Sequence, residues 1–239
     1  MAESTPRWSR EDVPVIFEDD ELLVVDKPAG LVVHPAPGLT EPTLAELFGD
    51  DLAGGEDQSR AGIVHRLDRG TSGLMLLART PGSHSKLQRA IEKREVERTY
   101  LALVAGSPRT KGGRIDAPIG RSPRERHRMA VDGAGAREAV THFEVVESAG
   151  DYSLLRVRLE TGRTHQVRVH MKAIGTPIVG DPTYGGPDPY GLGRPFLHST
   201  RLAFSHPGSG AWLEFESSLP DELERVLRTA GGADSALGG

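Results

Sequence analysis

The sequence predicts an α+β fold built on a largely antiparallel β-sheet. Segments with strand-like patterning outnumber helical ones, and the connections between them are too irregular for a doubly wound parallel sheet. Turn-forming residues are frequent, with 29 Gly and 17 Pro among 239 residues. We expect one domain over residues 13–228, between disordered segments at residues 1–12 and 229–239.

The first elements predicted are two strands joined by a turn. Residues 21–26 are apolar and β-branched, residues 27–30 form a Pro- and Gly-containing turn, and residues 31–34 continue as a second strand. A short helix is predicted over residues 43–48 and a Gly-rich acidic loop over residues 52–62.

Next, a polar segment lies between two apolar runs. Residues 63–64 and 74–78 are apolar, and the segment between them contains two Gly and Asp68. We therefore place Asp68 on a loop between strands, where reactive groups are commonly held by a rigid scaffold. Taken alone, an Asp near Gly70 is ordinarily a turn former or a cap.

The middle of the chain alternates between regular and basic segments. A helix is predicted over residues 83–93 and a strand over residues 96–104, which carries Tyr100. Residues 106–130 are basic and broken by Gly and Pro, which predicts a hairpin or an extended loop. On an apolar strand, Tyr100 is otherwise a core residue.

A pair of strands and an amphipathic helix follow. Residues 141–147 and 152–160 predict paired strands, and residues 164–174 predict a helix with Thr164 as N-cap and Gly175 after its end. The apolar side of this helix carries Val167, Met171 and Ile174, and its basic side carries Arg168 and Lys172.

The last segments complete the sheet. Residues 179–186 are turn-rich, and Asp181 within them is expected to cap a turn. Strands are predicted over residues 198–204 and 211–216, and a closing helix over residues 220–227.

Composition excludes several classes of protein. The chain has no Cys, so disulfides, thiolate catalysis and Cys-ligated metals are ruled out. No run approaches the roughly 18 apolar residues of a membrane helix, and the acidic start is no signal peptide. We expect a cytoplasmic protein.

The net charge of -5 hides an uneven distribution. Residues 1–60 sum to -10 and residues 207–239 to -4, whereas residues 61–206 sum to +9. The basic groups concentrate in residues 107–128 and 154–172. Such a middle would attract a polyanion, although a solvated basic face remains the alternative interpretation.

Several ordered motifs resemble the RluA/RluD family of pseudouridine synthases. The segment His65-Arg-Leu-Asp-Arg-Gly-Thr-Ser-Gly73 is similar to the catalytic signature of that family. Further blocks that resemble family motifs lie in order at residues 26–35, 98–104, 161–171, 179–185 and 197–202. The resemblance implies the pseudouridine synthase fold, a mixed and largely antiparallel sheet flanked by helices and loops.

The resemblance implies a role for four residues. Asp68 matches the catalytic aspartate, which acts on the target nucleotide so that uracil leaves through N1 and rejoins the sugar through C5. Tyr100 matches the tyrosine that packs on the uracil ring, and Arg163 matches the basic partner of the aspartate. Arg66 matches the arginine that enters the RNA stack in place of the flipped base. Attack at C1′, attack at C6 and proton abstraction all stay open for Asp68.

We expect RNA as the partner of a monomeric protein. The residues expected to contact RNA are Arg66, Arg69, Arg121, Arg128, His165, Arg168 and Lys172. An isomerisation without redox change or water needs no cofactor. A metal site is not predicted, because His165 and His170 are five residues apart and no acidic ligand accompanies them.

The substrate and two other functions are left open. Residues 114–121 and 128–131 look most like the RluD branch, which modifies 23S RNA of the large ribosomal subunit. Ribosomal members usually carry an S4-like module before the catalytic domain, whereas only a short segment precedes the first predicted strand here, so transfer RNA is the alternative. The other functions are a non-catalytic RNA-binding or assembly protein, and a glycosidase that pairs Asp26 with Asp68.

Overall fold

A computed structural model of the chain describes residues 8–36, 38–125 and 128–231. The strands are β1 (Val15–Glu18), β2 (Leu22–Lys27), β3 (Ser72–Ala78), β4 (Glu97–Ala105), β5 (Gly112–Asp116), β6 (Ile119–Arg121), β7 (Met129–Val131), β8 (Ala134–Arg137), β9 (Val140–Ala149), β10 (Tyr152–Leu159), β11 (Leu197–Ser205) and β12 (Trp212–Glu216). The helices are α1 (Leu44–Leu47), α2 (Pro81–Glu92), α3 (Gln166–Ala173) and α4 (Asp221–Gly231). The predicted α+β class is confirmed.

The chain divides into two compact units, and each is described by itself. The first comprises the residues up to Val96 together with Ala203–Phe215, and the second comprises Glu97–Leu202 and the residues from Glu216 onward. None of the helices in the described part of the chain is long and apolar enough to cross a membrane.

The first unit is built around β2 and β3. The strands of this unit pair antiparallel in the order β1-β2-β3. Nearly all of the side chains of β2 and β3 are buried. Their continuous apolar runs are therefore covered on both faces. The helix predicted over residues 83–93 is present as α2, which packs against β3 and buries Leu87.

The strand predicted at residues 31–34 is wrong. The Val32 and Val33 carbonyls accept hydrogen bonds from the backbone N–H groups of Leu44 and Ala45, at 2.8 and 2.9 Å. The side chains of Leu31 and Val33 are buried in the core, but the backbone carbonyls form hydrogen bonds with the start of α1 and not with a neighbouring strand. Hydrogen bonding therefore overrides the strand propensity of these residues.

The second unit contains two sets of antiparallel strands. One set has the order β4-β10-β9-β5, which confirms the predicted pairing of β9 with β10. The other is a small sheet in the order β7-β6-β8. The basic segment predicted as a hairpin or loop thus contains three strands, β5, β6 and β7.

The helix α3 differs from its prediction at both ends. It begins at Gln166, after His165 in a left-handed conformation with φ of 57°, so Thr164 is not its N-cap. Ile174, expected to face the core, is 37% exposed. Gly175 follows the helix with φ of 84°, as expected for a C-terminal glycine.

Parts of the terminal segments expected to be disordered are ordered. Residues 10–12 form a 3₁₀ turn, and residues 229–231 complete α4. Residues 1–7 and 232–239 lie outside the described residues, as do Pro37, Arg126 and His127.

Candidate active site

Asp68 lies on a loop between Ile63 and β3, as predicted. Ile63 forms a bridge with Leu77, and the backbone N–H of Leu76 donates to Nε2 of His65 at 3.0 Å. Leu67, next to Asp68, is 5% exposed and packs into the core. The loop is therefore attached to the first unit directly before the aspartate.

Arg69 attaches the loop directly after the aspartate. Its carbonyl accepts a hydrogen bond from the Gly30 N–H at 2.7 Å, and its Nε donates to the Gly30 carbonyl at 3.1 Å. Its guanidinium also forms an ion pair with Glu41 at 3.1 Å. Arg69, expected to contact RNA, therefore joins the loop to the turn after β2.

Lys27 supports the same turn from inside the protein. Its side chain is fully buried, and its ammonium donates to the carbonyls of Pro28 and Leu31 at 2.8 Å each. A longer contact of 3.5 Å reaches the Arg69 carbonyl. The buried ammonium of Lys27, which is surrounded by carbonyls, holds the turn in one conformation. The turn then holds the loop that carries Asp68.

Arg66 differs from Arg69 in having an available guanidinium. It is exposed, and no hydrogen bond or ion pair engages it among residues 8–36, 38–125 and 128–231. Burial and the positive charges of Arg66 and Arg60 lower the pKa of His34, which is therefore neutral at pH 7. The surface next to Asp68 thus offers one unengaged arginine.

Tyr100 and Arg163 belong to the second unit. Tyr100 is 5% exposed and lies opposite Val157 in the pairing of β4 with β10. The Arg163 Nε donates to the Glu138 carbonyl at 2.8 Å, and its backbone N–H donates to the Gln166 side chain at 2.9 Å. Burial lowers the pKa of Arg163 and the nearby Arg137 charge adds to this shift, whereas Glu138 opposes it.

Arg168, placed on the basic side of its helix and expected to contact RNA, is buried and paired inside the protein. Arg168 is 6% exposed and forms a two-pronged ion pair with Asp181, at 2.8 and 2.9 Å. Its guanidinium also lies over the Tyr184 ring, 5.1 Å from the ring centre. Asp181 caps the following turn, as predicted, by accepting from the Thr183 and Tyr184 N–H groups.

Tyr184 connects this ion pair to the small sheet. Its hydroxyl accepts a hydrogen bond from the Met129 N–H at 3.0 Å and lies 2.9 Å from Nδ1 of His165. Its ring packs in a cluster with Ile119 and Val169. The strand β7, and with it β6, which carries Arg121, is thereby held against α3.

The other predicted RNA contacts differ in how much they are engaged. Arg121 and Lys172 are exposed, whereas Arg128 is half-buried and pairs with Glu125 at 2.8 Å. No group of three His, Asp or Glu side chains that could hold a metal ion occurs in the part of the chain that the structure describes.

Three residues with a clear structural role were not identified from the sequence. These residues are Lys27, Gln166 and Tyr184, and each of them has at least one contact with a residue that is distant in sequence. The Gln166 side chain bonds to Thr161 and to the carbonyl of Val140, and so joins the turn before α3 to β9. A sequence motif identifies such residues, but it does not show which other residues they contact.

Asp68 is a carboxylate on a loop that is held on both sides, an unengaged arginine lies beside it, and the second unit carries basic segments. These features are typical of an enzyme that acts on a nucleic acid. A family model described as RNA pseudouridylate synthase matches residues 21–173. The match includes Asp68, Tyr100 and Arg163. The chain therefore belongs to the RNA pseudouridylate synthase family.

Individual relatives agree with this assignment. An uncharacterized RNA pseudouridine synthase of Chloroflexus aurantiacus is 51% identical over 208 residues, and the match covers 85% of this chain but 65% of the relative. Ribosomal large subunit pseudouridine synthase D of Pseudomonas aeruginosa is 44% identical, with 94% of this chain and 74% of the relative covered. The solved structure of human RNA Pseudouridylate Synthase Domain Containing 1 has a TM-score of 0.69 at 26% identity, covering 96% of this chain and all of that chain.

Proposed function

We propose that this chain isomerises specific uridines to pseudouridine in 23S RNA of the large ribosomal subunit, with Asp68 as its nucleophile. The substrate is inferred from the relative in Pseudomonas aeruginosa, whose name gives the ribosomal large subunit as its target. We place the reaction in the cytoplasm, where ribosomal RNA is modified.

The observation that carries the proposal is the attachment of the Asp68 loop. The residues on either side of Asp68 are held, Leu67 by burial and Arg69 by paired hydrogen bonds with Gly30, while Asp68 itself is half-exposed. A reacting carboxylate has to be held in one position and still reach a nucleotide. Both conditions are met at Asp68.

Three further residues take their roles from the motifs that contain them. Tyr100 is assigned to packing on the uracil ring, and Arg163 to acting as the basic partner of the aspartate. Arg66 is assigned to the space that the flipped nucleotide leaves, a role that its exposed and unengaged guanidinium supports. Flipping costs a few kcal/mol, which contacts to the RNA must offset.

The RNA backbone is assigned to the exposed cations of the second unit. Arg121 and Lys172 are exposed, and Arg128 directly precedes β7, which pairs with the strand that carries Arg121. His165 is oriented by Tyr184 and is retained as an RNA contact. Arg168 and Arg69 are assigned to holding the loops on which the contacts depend, because their guanidinium groups are engaged by Asp181 and Glu41.

The reaction breaks the bond between C1′ and N1 and forms a bond between C1′ and C5, the hydrogen on C5 leaves as a proton, and N1 takes up a proton. No electron acceptor, water or other co-reactant is consumed. We therefore propose that the protein acts without a cofactor. We also propose that it acts as a monomer.

The test measures tritium release from RNA labelled at C5 of uridine, together with mapping of the modified positions. The wild type should release label from 23S RNA, and Asp68→Asn should bind the same RNA but lose more than about a thousandfold in rate. Asp50→Asn changes an exposed aspartate elsewhere in the first unit and should behave as the wild type.

Each alternative function has its own result in this assay. Release from transfer RNA but not from 23S RNA would replace the substrate. Binding without release from any RNA would indicate an RNA-binding or assembly protein, and free uracil with abasic sites would indicate a hydrolase.

A further inference from the structure

Arg98 is a buried cation with almost no partners. It lies in β4 and is 3% exposed. Its one hydrogen bond runs from Nη2 to the Glu160 carbonyl at a long 3.4 Å, and its buried Nε has no hydrogen-bond partner among the described residues. No carboxylate of the described residues lies within ion-pairing distance of it. Arg168, the other buried arginine of this unit, has a bidentate carboxylate partner instead.

The backbone turn that leads to Arg163 packs directly on the Arg98 guanidinium. A Cβ atom added to Gly162 would lie 2.9 Å from Nη1 of Arg98, which is too close for an ordinary contact. A side chain at position 162 would therefore require the Arg98 guanidinium to shift. The charge of Arg98 is enclosed by protein and is poorly screened by solvent.

Tyr100 lies two residues after Arg98 on the same strand. Side chains two residues apart project from the same face of a strand, with Cα atoms about 7 Å apart. Burial lowers the pKa of Arg98, and its interaction with the Tyr100 phenol partly opposes that shift. The buried charge thus lies beside the side chain assigned to the uracil ring.

An uncompensated buried charge costs stability, because desolvation is not offset by a counter-charge. The folded protein alone supplies no such counter-charge to Arg98. The reaction supplies one. When the bond between C1′ and N1 breaks, its electron pair stays on uracil, which is then an anion until C5 bonds to C1′. Loss of the C5 proton returns negative charge to the ring until N1 takes up a proton. If Asp68 instead adds to C6, the ring also becomes negative.

We propose that the unpaired charge of Arg98 stabilises the negative charge that uracil acquires during the reaction. The inference rests on the proposed function and adds an electrostatic role that acts through space, without contact between Arg98 and the base. Such stabilisation is strongest in an environment that is already dry and needs no reorganisation. It acts on the transition state and not on the binding of uncharged uridine.

The test compares Arg98→Met with Arg98→Lys by single-turnover rate, RNA dissociation constant and thermal unfolding. Methionine keeps most of the volume without the charge, and lysine keeps the charge. For a separation on the order of 7–10 Å inside a protein, one unit charge corresponds to roughly a ten- to hundredfold change in rate. Arg98→Met should lose that factor at saturating RNA, bind RNA within about twofold of the wild type, and have an unchanged or higher melting temperature. Arg98→Lys should recover most of the rate.

Arg89→Met is the matched control, because Arg89 is an exposed arginine on α2. It should match the wild type in all three measurements. A wild-type rate for Arg98→Met would overturn the inference while leaving the proposed function intact. A lower melting temperature, with activity lost in proportion to unfolding and not recovered by lysine, would assign Arg98 a purely structural role. A wild-type protein inactive on every RNA would remove the proposed function and the inference together.

Discussion

The ion pair between Arg168 and Asp181 provides the sharpest test of the second unit. Asp181 is fully buried, and its carboxylate accepts both prongs of the Arg168 guanidinium at 2.8 and 2.9 Å. Asp181→Asn keeps the size of the side chain and an oxygen for the Thr183 and Tyr184 N–H groups. What it removes is the negative charge.

The expected cost follows from burial. Removing one member of a buried pair leaves the other charge uncompensated, which costs about 3–5 kcal/mol. For a protein of this size, each kcal/mol lowers the melting temperature by roughly 2–4 °C, so Asp181→Asn should melt about 6–20 °C lower. The double variant with Arg168→Met removes both charges of this pair. Its loss of stability should therefore be about 1–3 kcal/mol smaller than the sum of the losses of the two single variants.

Urea and thermal unfolding, followed by circular dichroism, measure this cycle. The exposed pair of Arg156 with Glu144 is the control, because Glu144→Gln breaks a 3.0 Å ion pair at the surface and should cost less than about 1 kcal/mol. If Asp181→Asn lies within about 1 kcal/mol of the wild type, or if the double variant is simply additive, the pair does not stabilise the unit as described.

Three further predictions concern the first unit and the RNA contacts. Lys27→Met removes the donor from the carbonyls of Pro28 and Leu31 and should lower the free energy of unfolding by about 1–3 kcal/mol, and an unchanged urea midpoint would contradict this role. Arg121→Ala should reduce the slope of log affinity against log salt by about 0.7–0.9 in RNA titrations, and an unchanged slope would exclude a phosphate contact. Although partial burial acts to raise the pKa of Asp19, hydrogen bonds from the Glu21 and Leu22 N–H groups lower it overall. Because this contribution is present above the unfolded pKa and is lost as pH falls through the lower folded pKa, Asp19→Asn should be less stable than the wild type at pH 7. The difference should begin to shrink as the pH falls below about 4 and should vanish only below the folded pKa of Asp19.

The two buried arginines of the second unit show that burial alone does not define a role. Arg168 has a carboxylate partner and holds the loop of Tyr184, so replacing Arg168 should lower the free energy of unfolding. Arg98 has one long hydrogen bond to a carbonyl, so replacing Arg98 should lower the single-turnover rate. The difference lies in the partners, which are remote in sequence from both residues.

Local patterns predicted much of the fold. The pairing of β9 with β10, the helix α2 and the placement of Asp68 on a loop all follow from periodicity and turn residues within a short stretch of sequence. These elements agree with prediction because their hydrogen bonds and their buried faces demand the same conformation.

Predictions failed where a distant partner competes with the local pattern. The helical wheel places Arg168 with Lys172 on a basic side, but Asp181 offers a carboxylate that compensates for the burial of Arg168. Residues 31–34 have the composition of a strand, but their carbonyls accept hydrogen bonds from the start of α1.

The sequence by itself determined the family, the fold class and the identity of Asp68 as the candidate nucleophile, because motifs and periodicities are properties of neighbouring residues. Only the tertiary structure showed which cations are available. Arg66 is unengaged, Arg69 and Arg168 are held by carboxylates, and Arg98 is buried without one. The physical reason is that the effect of a charge depends on its solvation and on its partners, and both are decided by residues far away along the chain.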